Sequence, residues 1–207
     1  MPGHFITFEG GDGAGKSTLI QSLLEALQSL GHDVMQTRAP GGTPAGQTIR
    51  ELLLHPTDPL VARAELLLFL ADRAQQVEKV ILPALDQGKI VLCDRYNDST
   101  LAYQGKARGF PLKEVENLCA FATQSLRPEL TLYLDLDPRI GIERVKQSSS
   151  KDQIEAEKIS FHETIRTAFH ELAAADPSRF RIIDASQPKE IVLKESLKQI
   201  EDSLVRK

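Results

Sequence analysis

The chain has no tryptophan, only two cysteines and no apolar run close to the length of a membrane span. A transmembrane helix needs about 20 consecutive apolar residues, so we expect no membrane span. Cys93 lies in an apolar run and Cys119 on the apolar face of a predicted helix, which favours two buried free thiols over a disulfide. The first residues lack the basic and apolar regions of a secretion signal, and we expect a cytoplasmic protein.

An excess of basic residues is also lacking, since 25 Lys and Arg stand against 29 Asp and Glu, for a net charge of −4. Binding of long nucleic acids needs a broad basic surface, so we expect no nucleic-acid partner. A small anionic ligand is compatible with this charge, because a few arginines can converge in one cleft of an acidic protein. The 207 residues suit one α/β domain with one continuous core.

No histidine stands in a spacing typical of a metal site or a catalytic triad. The five histidines are His4, His32, His55, His162 and His170. We interpret all of them as surface or packing residues, and the chemistry must then come from other side chains.

Apolar runs alternate with amphipathic segments along the whole chain. Strands are predicted over 5–8, 34–37, 90–93, 130–136 and 181–183. Helices are predicted over 16–30, 65–82, 112–126 and 188–205, with others from Pro44 to about Leu54, after Pro138, and after a capping signal at Asp152. This alternation, with strands that lack a polar face, predicts a five-stranded parallel sheet covered on both sides, a three-layer α/β/α fold. We assign the apolar stripe of the last helix to the core.

A phosphate-binding loop follows the first predicted strand. The segment Gly10-Gly11-Asp12-Gly13-Ala14-Gly15-Lys16-Ser17, with Thr18 after it, fits the pattern G-x-x-x-x-G-K-[ST] and leads into a predicted helix. Glycines let the backbone turn tightly and point N–H groups at phosphate oxygens, and the helix dipole adds to the attraction. Lys16 would place its charge at the β and γ phosphates, and Ser17 would hold Mg²⁺. The pattern predicts a P-loop NTPase that binds Mg-ATP, but it leaves the reaction open.

Charged residues directly follow two other predicted strands. Arg38 follows the second strand, and Asp94 and Arg95 follow the third. Ligands of parallel sheets bind at the carboxyl ends of the strands, so these side chains should lie at the same edge as the phosphate loop. Asp94 ends an apolar strand as a Walker-B acid does, which makes it a second candidate for holding Mg²⁺.

Phe69 and Arg73 lie four residues apart on the helix predicted over 65–82, hence on one face. A ring beside a guanidinium suits a nucleotide base and its phosphate. The alternative is that Phe69 belongs to the core and Arg73 points to solvent. The two residues alone do not decide between these interpretations.

Several arginines at one phosphate cleft favour phosphoryl transfer to an anionic acceptor over hydrolysis. Guanidinium forks bring two anions together against their repulsion. A phosphate monoester has its second pKa near about 6, so a monophosphate acceptor is already dianionic at neutral pH and needs no general base. A switch or motor ATPase is the alternative of another class, and it predicts N-K-x-D or a D-x-x-G after a strand. The only D-x-x-G covers residues 12–15, inside the phosphate loop.

Five segments together resemble the thymidylate kinase family along nearly the whole chain. They are Phe8-Glu9-Gly10, Thr37-Arg38-Ala39-Pro40-Gly41-Gly42-Thr43, Leu70-Ala71-Asp72-Arg73-Ala74-Gln75, Asp94-Arg95-Tyr96 with Ser99-Thr100 and Ala102-Tyr103-Gln104-Gly105, and Ile183-Asp184-Ala185-Ser186. The resemblance implies a single kinase domain over 1–207 that phosphorylates dTMP to dTDP with Mg-ATP for dTTP synthesis. It also implies a homodimer. The alternative acceptor is another nucleoside monophosphate or a deoxynucleoside. The matches to the thymidylate pattern at Phe69, Arg73, Tyr103 and Gln104 argue against that alternative.

The same resemblance implies roles for individual residues. Phe69 would stack on thymine, Arg73 would reach the base edge and the acceptor phosphate, and Tyr103 would crowd the 2′ position. The remaining implied substrate ligands are Glu9, Asp12 at the sugar hydroxyl, Arg38 and Arg95 at the phosphate, Ser99, and Thr100 and Gln104 at the pyrimidine. Lys16, Asp94 and Arg95 would be catalytic, with Arg95 shared with the transferred group.

Two positions depart from the family pattern. Ala39 stands where the family usually has Glu before Pro40, a peptide bond that is often cis in the family. The family also places a catalytic arginine in the phosphate loop or in the lid, but the loop has none and the aligned lid residue is Gln153. We expect a lid over about 144–156, at the polar run 147–151 between two predicted helices, although a plain surface loop would show the same composition. Our hypothesis is that a lid cation replaces the arginine; the candidates are Lys151 first, then Lys146 and Arg144.

Overall fold

Five parallel strands form one sheet in the order β2-β3-β1-β4-β5. The computed structural model describes residues 3–146 and 157–205. The strands are β1 (His4–Gly10), β2 (Val34–Arg38), β3 (Ile90–Asp94), β4 (Leu130–Asp135) and β5 (Phe180–Asp184). Each predicted strand is present at its predicted place, and the parallel pairing of all neighbours confirms the predicted sheet.

Helices cover both faces of this sheet. The α-helices are α1 (Lys16–Ser29), α2 (Pro44–Leu54), α3 (Ala62–Gln76), α4 (Leu82–Asp86), α5 (Asn97–Thr100), α6 (Leu112–Ala122), α7 (Pro138–Lys146), α8 (Ile159–Ala175) and α9 (Lys189–Val205). Two π-helical segments join them, π1 (Val77–Ile81) and π2 (Leu101–Ala107). Thr43 caps α2 as its position before Pro44 suggests, because its hydroxyl accepts from the Gly46 N–H at 2.9 Å. The predicted helix start at Asp152 lies outside the described residues.

The prediction of one helix over 65–82 was too short at both ends. Helix α3 begins at Ala62, and the helical path continues through π1 into α4 as far as Asp86. Pro83 lies in the first turn of α4, where its missing N–H costs no bond of that helix. The wider π-helical turn before it shifts the hydrogen-bond register and so accommodates the proline without ending the segment.

Two further predictions of helix bounds need correction. The helix predicted over 112–126 ends at Ala122, since Gln124 and Ser125 have φ of 52° and 59° and the chain turns there. The segment after Tyr96 was not predicted as an element, yet it is helical from Asn97 through π2. This segment carries four of the predicted substrate ligands.

The core lies on both sides of the sheet. Ile6 and Phe8 of β1 pack with α1 and α9, while Phe5 packs on the opposite face with π1 and α4. On α9, Ile200 is fully buried and Leu197 and Leu204 pack against the same cluster, which confirms the assignment of these residues to the core. Ile191, the first residue of the predicted stripe, is 49% exposed, so for that residue the assignment is wrong. Cys93 and Cys119 are both buried and free, as predicted. Within residues 3–146 and 157–205, no helix is both long and apolar enough to cross a bilayer.

The strand register brings the predicted site residues to one edge. Phe8 of β1 and Arg38 of β2 both align with Asp94 of β3. The phosphate loop, Arg38 and Arg95 therefore leave the sheet side by side, because the strands are parallel and end together.

Candidate active site

The phosphate loop turns from β1 into α1 through glycines in conformations that other residues avoid. Gly13 and Gly15 have φ of 73° and 87°. A side chain at Gly13 would also collide with the Gly141 backbone of α7. The loop therefore lies against α7 and leads into the start of α1, where its N–H groups would bind phosphate oxygens.

Lys16 lies beneath this loop, with 8% of its surface exposed. Its ammonium donates to the carbonyl oxygens of Gly10 at 3.1 Å and Gly11 at 2.9 Å. Burial, together with the neighbouring Arg95, lowers the pKa of Lys16 to about 8 against the opposing effect of Asp94 and Asp12. A bound polyphosphate would favour the charged form, so the side chain is placed to respond to an anion.

Ser17 and Asp94 form the part of the cleft that suits a divalent cation. The Ser17 hydroxyl donates to Asp94 Oδ2 at 2.9 Å, and the buried Asp94 Oδ1 has no hydrogen-bond partner among the described residues. A hydroxyl and one free carboxylate oxygen match Mg²⁺, which binds through one or two protein oxygens together with substrate phosphates. The described residues hold no cluster of three or more His, Cys, Asp or Glu side chains for a metal bound by protein alone.

Arg95 connects the phosphate loop to the segment after β3. Its guanidinium donates to Asp12 Oδ1 at 2.6 Å and to the Ser99 hydroxyl at 3.2 Å, and it lies 5.0 Å from the centre of the Tyr103 ring. Burial alone would raise the pKa of Asp12, but Arg95 and Lys16 outweigh it and lower that pKa below its usual value. Arg95 also has φ of 67°, an unusual conformation for a side chain of this size.

Arg73 and Phe69 both face the same cleft. Arg73 is 2% exposed, donates to Asn97 Oδ1 at 3.1 Å and lies 5.1 Å from the Tyr96 ring centre. Phe69 is only half-buried and lines the cleft. The alternative in which Phe69 belongs to the core and Arg73 points to solvent is therefore wrong, and the ring is open to stack on a ligand.

One cleft of about 440 Å³ joins these groups. Its predicted residues are Asp12, Gly13, Gly15, Lys16, Ser17, Thr18, Arg38, Phe69, Arg73, Asp94, Arg95, Ser99, Thr100, Tyr103 and Gln104. Thr100, Tyr103 and Gln104 come from α5 and π2 and line the same cleft as Phe69. The cleft thus combines groups suited to binding phosphate with an aromatic ring and polar side chains.

Comparison with known proteins agrees with the resemblance seen in the sequence. The family model described as thymidylate kinase matches residues 8–196. The chain belongs to the thymidylate kinase family. It is 47% identical to the thymidylate kinase of Protochlamydia amoebophila, over 97% of this chain and 93% of that protein, and 44% identical to that of Bacillus licheniformis, over 99% and 98%. A crystal structure of thymidylate kinase from Ehrlichia chaffeensis superposes with a TM-score of 0.79 at 32% identity, over 97% of this chain and 99% of that one. The resemblance seen in the sequence and the P-loop α/β fold are both confirmed.

Glu9, expected from the family to bind substrate, instead lies behind the site. It is fully buried and accepts from the Tyr96 N–H at 2.7 Å and from the Ser99 hydroxyl at 2.5 Å. Burial, together with the nearby Asp98, raises the pKa of Glu9 to about 7. Glu9 therefore positions the turn that carries Arg95 and does not itself reach the cleft.

The raised pKa of Glu9 has a measurable effect on stability. Between about pH 4.5 and 7 the folded protein holds a proton on Glu9 that the unfolded chain has released, so this group's contribution to the free energy of unfolding declines as the pH rises through that window. Glu9→Gln keeps an oxygen for the Tyr96 N–H and removes this titration. We expect the wild type to become less stable relative to the variant from pH 5 to pH 8, with the free energy of unfolding measured by urea denaturation. A stability difference between the two proteins that does not change with pH would contradict the raised pKa of Glu9.

The family motifs gave no role to several residues that shape the cleft, and Arg50 and Gln76 lie outside those motifs. Arg50 of α2 lines it and donates to the Pro40 carbonyl at 3.1 Å. The Ala39–Pro40 bond is cis, as is common in the family despite Ala39. Behind this loop, Asp72 accepts from the Gly41 N–H at 3.0 Å and Gln76 donates to the Arg38 carbonyl at 2.7 Å. Asp72 and Gln76 lie four residues apart beside Arg73, a spacing that would have indicated a shared face.

Of the segment 144–156, where a lid is predicted, the structure describes only residues 144–146. Arg144 of α7 donates to the Gly13 carbonyl at 3.3 Å, so its guanidinium lies against the phosphate loop. Lys146 is exposed at the end of α7. Lys151 and Gln153 lie outside the described residues.

Proposed function

We propose that this enzyme, which phosphorylates dTMP to dTDP with ATP, holds ATP on the phosphate loop and dTMP between Phe69 and the α5–π2 segment. The observation that carries the proposal is the cleft in which Arg95 reaches from Asp12 of the phosphate loop to Ser99 and Tyr103 of the α5–π2 segment. Two nucleotides bound end to end in this cleft would bring their phosphates together at Arg95.

At the ATP side, the N–H groups over residues 10–18 and the Lys16 ammonium would bind the β and γ phosphates. At the acceptor side, Arg38, Arg73 and Arg95 would bind the monophosphate, and Arg95 would also contact the transferred group. Since the acceptor is already dianionic, the residues need only align the two anions and neutralise their repulsion. Ser17 and Asp94 would hold Mg²⁺, whose charge further offsets that of the phosphates when it is bound.

At the base side, Phe69 would stack on thymine, and Thr100 and Gln104 would contact its polar edge. Arg73, held by Asn97 and Tyr96, would reach both base and phosphate. Tyr103 is 6% exposed and fixed beside Arg95, which supports its proposed role of crowding a 2′-hydroxyl. Asp12 would bind the sugar hydroxyl through the carboxylate oxygen that does not accept from Arg95.

The proposal also covers the domain organisation, oligomeric state and location of the protein. We propose one kinase domain over 1–207 with the lid at 144–156, acting as a homodimer in the cytoplasm. Exposed apolar side chains on the neighbouring helices α3 and α6 support a dimer face, with Leu67 53%, Leu118 38% and Phe121 87% exposed. The two buried free thiols are compatible with a reducing compartment.

The test is an ADP-release assay with Mg-ATP and a panel of dTMP, dUMP, dCMP, AMP, GMP and UMP, with the products separated. ADP and dTDP formed in equal amounts, with dTMP far the best acceptor, would support the proposal. ADP with free phosphate, unaffected by any monophosphate, would overturn it in favour of an ATPase.

The lid hypothesis predicts a loss of turnover without a matching loss of dTMP binding. Lys151→Ala, and separately Lys146→Ala and Arg144→Ala, remove the candidate cations. We expect Lys151→Ala and Lys146→Ala each to lower kcat by about tenfold or more while the Kd for dTMP changes little, because a lid charge acts on the transferred group. Full turnover in all three variants would show that no lid cation replaces the arginine.

A further inference from the structure

Gln104 has a buried partner that controls which end of its amide faces the cleft. The side chain is 2% exposed, lines the cleft from π2, and donates its Nε2 to Glu65 Oε1 of α3 at 2.8 Å. The same carboxylate receives Arg108 Nε at 3.3 Å and Arg108 NH2 at 3.0 Å. Glu65 is therefore shared between a guanidinium and an amide.

This arrangement fixes the direction of the amide on chemical grounds. A carboxylate paired with a guanidinium is ionised and can only accept hydrogen bonds. Gln104 must then turn its NH₂ group to Glu65, and its carbonyl oxygen is the end that remains for the cleft. A flipped amide would set two oxygens against each other in a buried site, which is costly.

Arg108 is itself held from a third element. Its NH1 donates to Glu157 Oε1 at 2.5 Å, and its guanidinium lies 4.7 Å from the Phe161 ring centre of α8. Glu65 is 5% exposed. Glu65, the partner of Gln104, and Arg108, which holds Glu65, are thus both immobilised, as a precise hydrogen-bonding site requires.

We propose that Glu65, held by Arg108, is a positioning residue that makes Gln104 present a hydrogen-bond acceptor to the base and thereby selects pyrimidines with an N3–H over cytosine. The proposal rests on the proposed function, since it assumes that the base binds at this end of the cleft. Thymine and uracil carry a donor at N3, which a carbonyl oxygen satisfies. Cytosine carries a lone pair there, so the fixed Gln104 would oppose acceptor to acceptor.

The isosteric change Glu65→Gln tests this directly. A neutral amide at position 65 can donate or accept, so Gln104 is free to flip and offer its NH₂ to cytosine N3. We expect the ratio of kcat/KM for dTMP over dCMP to fall by about tenfold or more, because a mispaired buried hydrogen bond is a major source of discrimination. The ratio of dTMP over dUMP should stay unchanged, since both bases carry the N3–H. A general loosening of the site would change both ratios and not the dTMP over dCMP ratio alone.

A matched control is Glu163→Gln, which removes a carboxylate from the exposed ion pair with Arg139 at 2.6 Å. It should change neither ratio. Gln104→Met provides the second variant: alone it should lower the dTMP over dCMP ratio, and combined with Glu65→Gln it should show no further fall. The proposal is overturned if Glu65→Gln keeps the wild-type ratio, if its effect persists in the Gln104→Met background, or, should Glu65→Gln not fold, if Gln104→Met discriminates as the wild type does. Inactivity of the wild type with dTMP would instead reject the proposed function, which the ratios do not test.

Discussion

Lys16→Met should lower kcat for dTMP phosphorylation by about a thousandfold, with a rise in the KM for ATP, because the ammonium lies beneath the phosphate loop and donates to its Gly10 and Gly11 carbonyls. The measurement is steady-state ADP release at saturating dTMP. Lys113→Met is the control, since that lysine is 81% exposed on α6 and far from the loop, and it should leave turnover unchanged.

Loss of function through unfolding can be separated from loss of the charge. The folded state lowers the pKa of Lys16 from 10.5 to about 8, so the charged lysine destabilises the folded protein at pH 7. A neutral side chain at this position avoids that cost. We therefore expect the free energy of unfolding of Lys16→Met at pH 7 to lie within about 1 kcal/mol of the wild type or above it. Turnover above a tenth of the wild-type value would contradict the role given to Lys16.

The sequence was sufficient for the sheet and the phosphate loop because their signals are local. Each strand is a short apolar run, and the loop needs its glycines and lysine at fixed spacing. The convergence of Arg38, Asp94 and Arg95 also followed from the sequence, since parallel strands end at one edge and each residue directly follows a strand. No knowledge of side-chain packing was required for these predictions.

The rest depends on contacts between residues far apart in the chain. The family resemblance assigned Glu9 to the substrate, but its burial and its bonds to Tyr96 and Ser99 arise only when β1 and β3 pair. Phe69 and Arg73 showed a shared face, but which of them would be buried depended on Tyr96 and Asn97 from another segment. The Glu65–Arg108 pair joins residues 43 apart, and nothing in the local pattern indicates it.

Arg95→Lys should lower kcat by about a hundredfold or more and also weaken dTMP binding. The guanidinium bonds Asp12 and Ser99 through two nitrogens at once, at 2.6 and 3.2 Å, and faces the Tyr103 ring. An ammonium keeps the charge but loses the planar fork, so it cannot align two phosphates while holding Asp12. Turnover, the KM for dTMP and the free energy of unfolding are the quantities to compare.

The backbone at Arg95 supports this expectation over a purely structural role. A φ of 67° costs a non-glycine residue on the order of 1–2 kcal/mol, and the conformation is held by the Arg95 N–H, which donates to the Phe8 carbonyl at 2.9 Å, and by the Cys93 thiol, which donates to the Arg95 carbonyl at 3.2 Å. Lysine accepts the same strain, so Arg95→Lys should fold with nearly wild-type stability. Arg127→Lys, the same change at a side chain 72% exposed, should affect neither turnover nor dTMP binding. If Arg95→Lys retained wild-type turnover, a point charge would suffice there, and the bidentate contact would have to come from Arg38 or Arg73 instead.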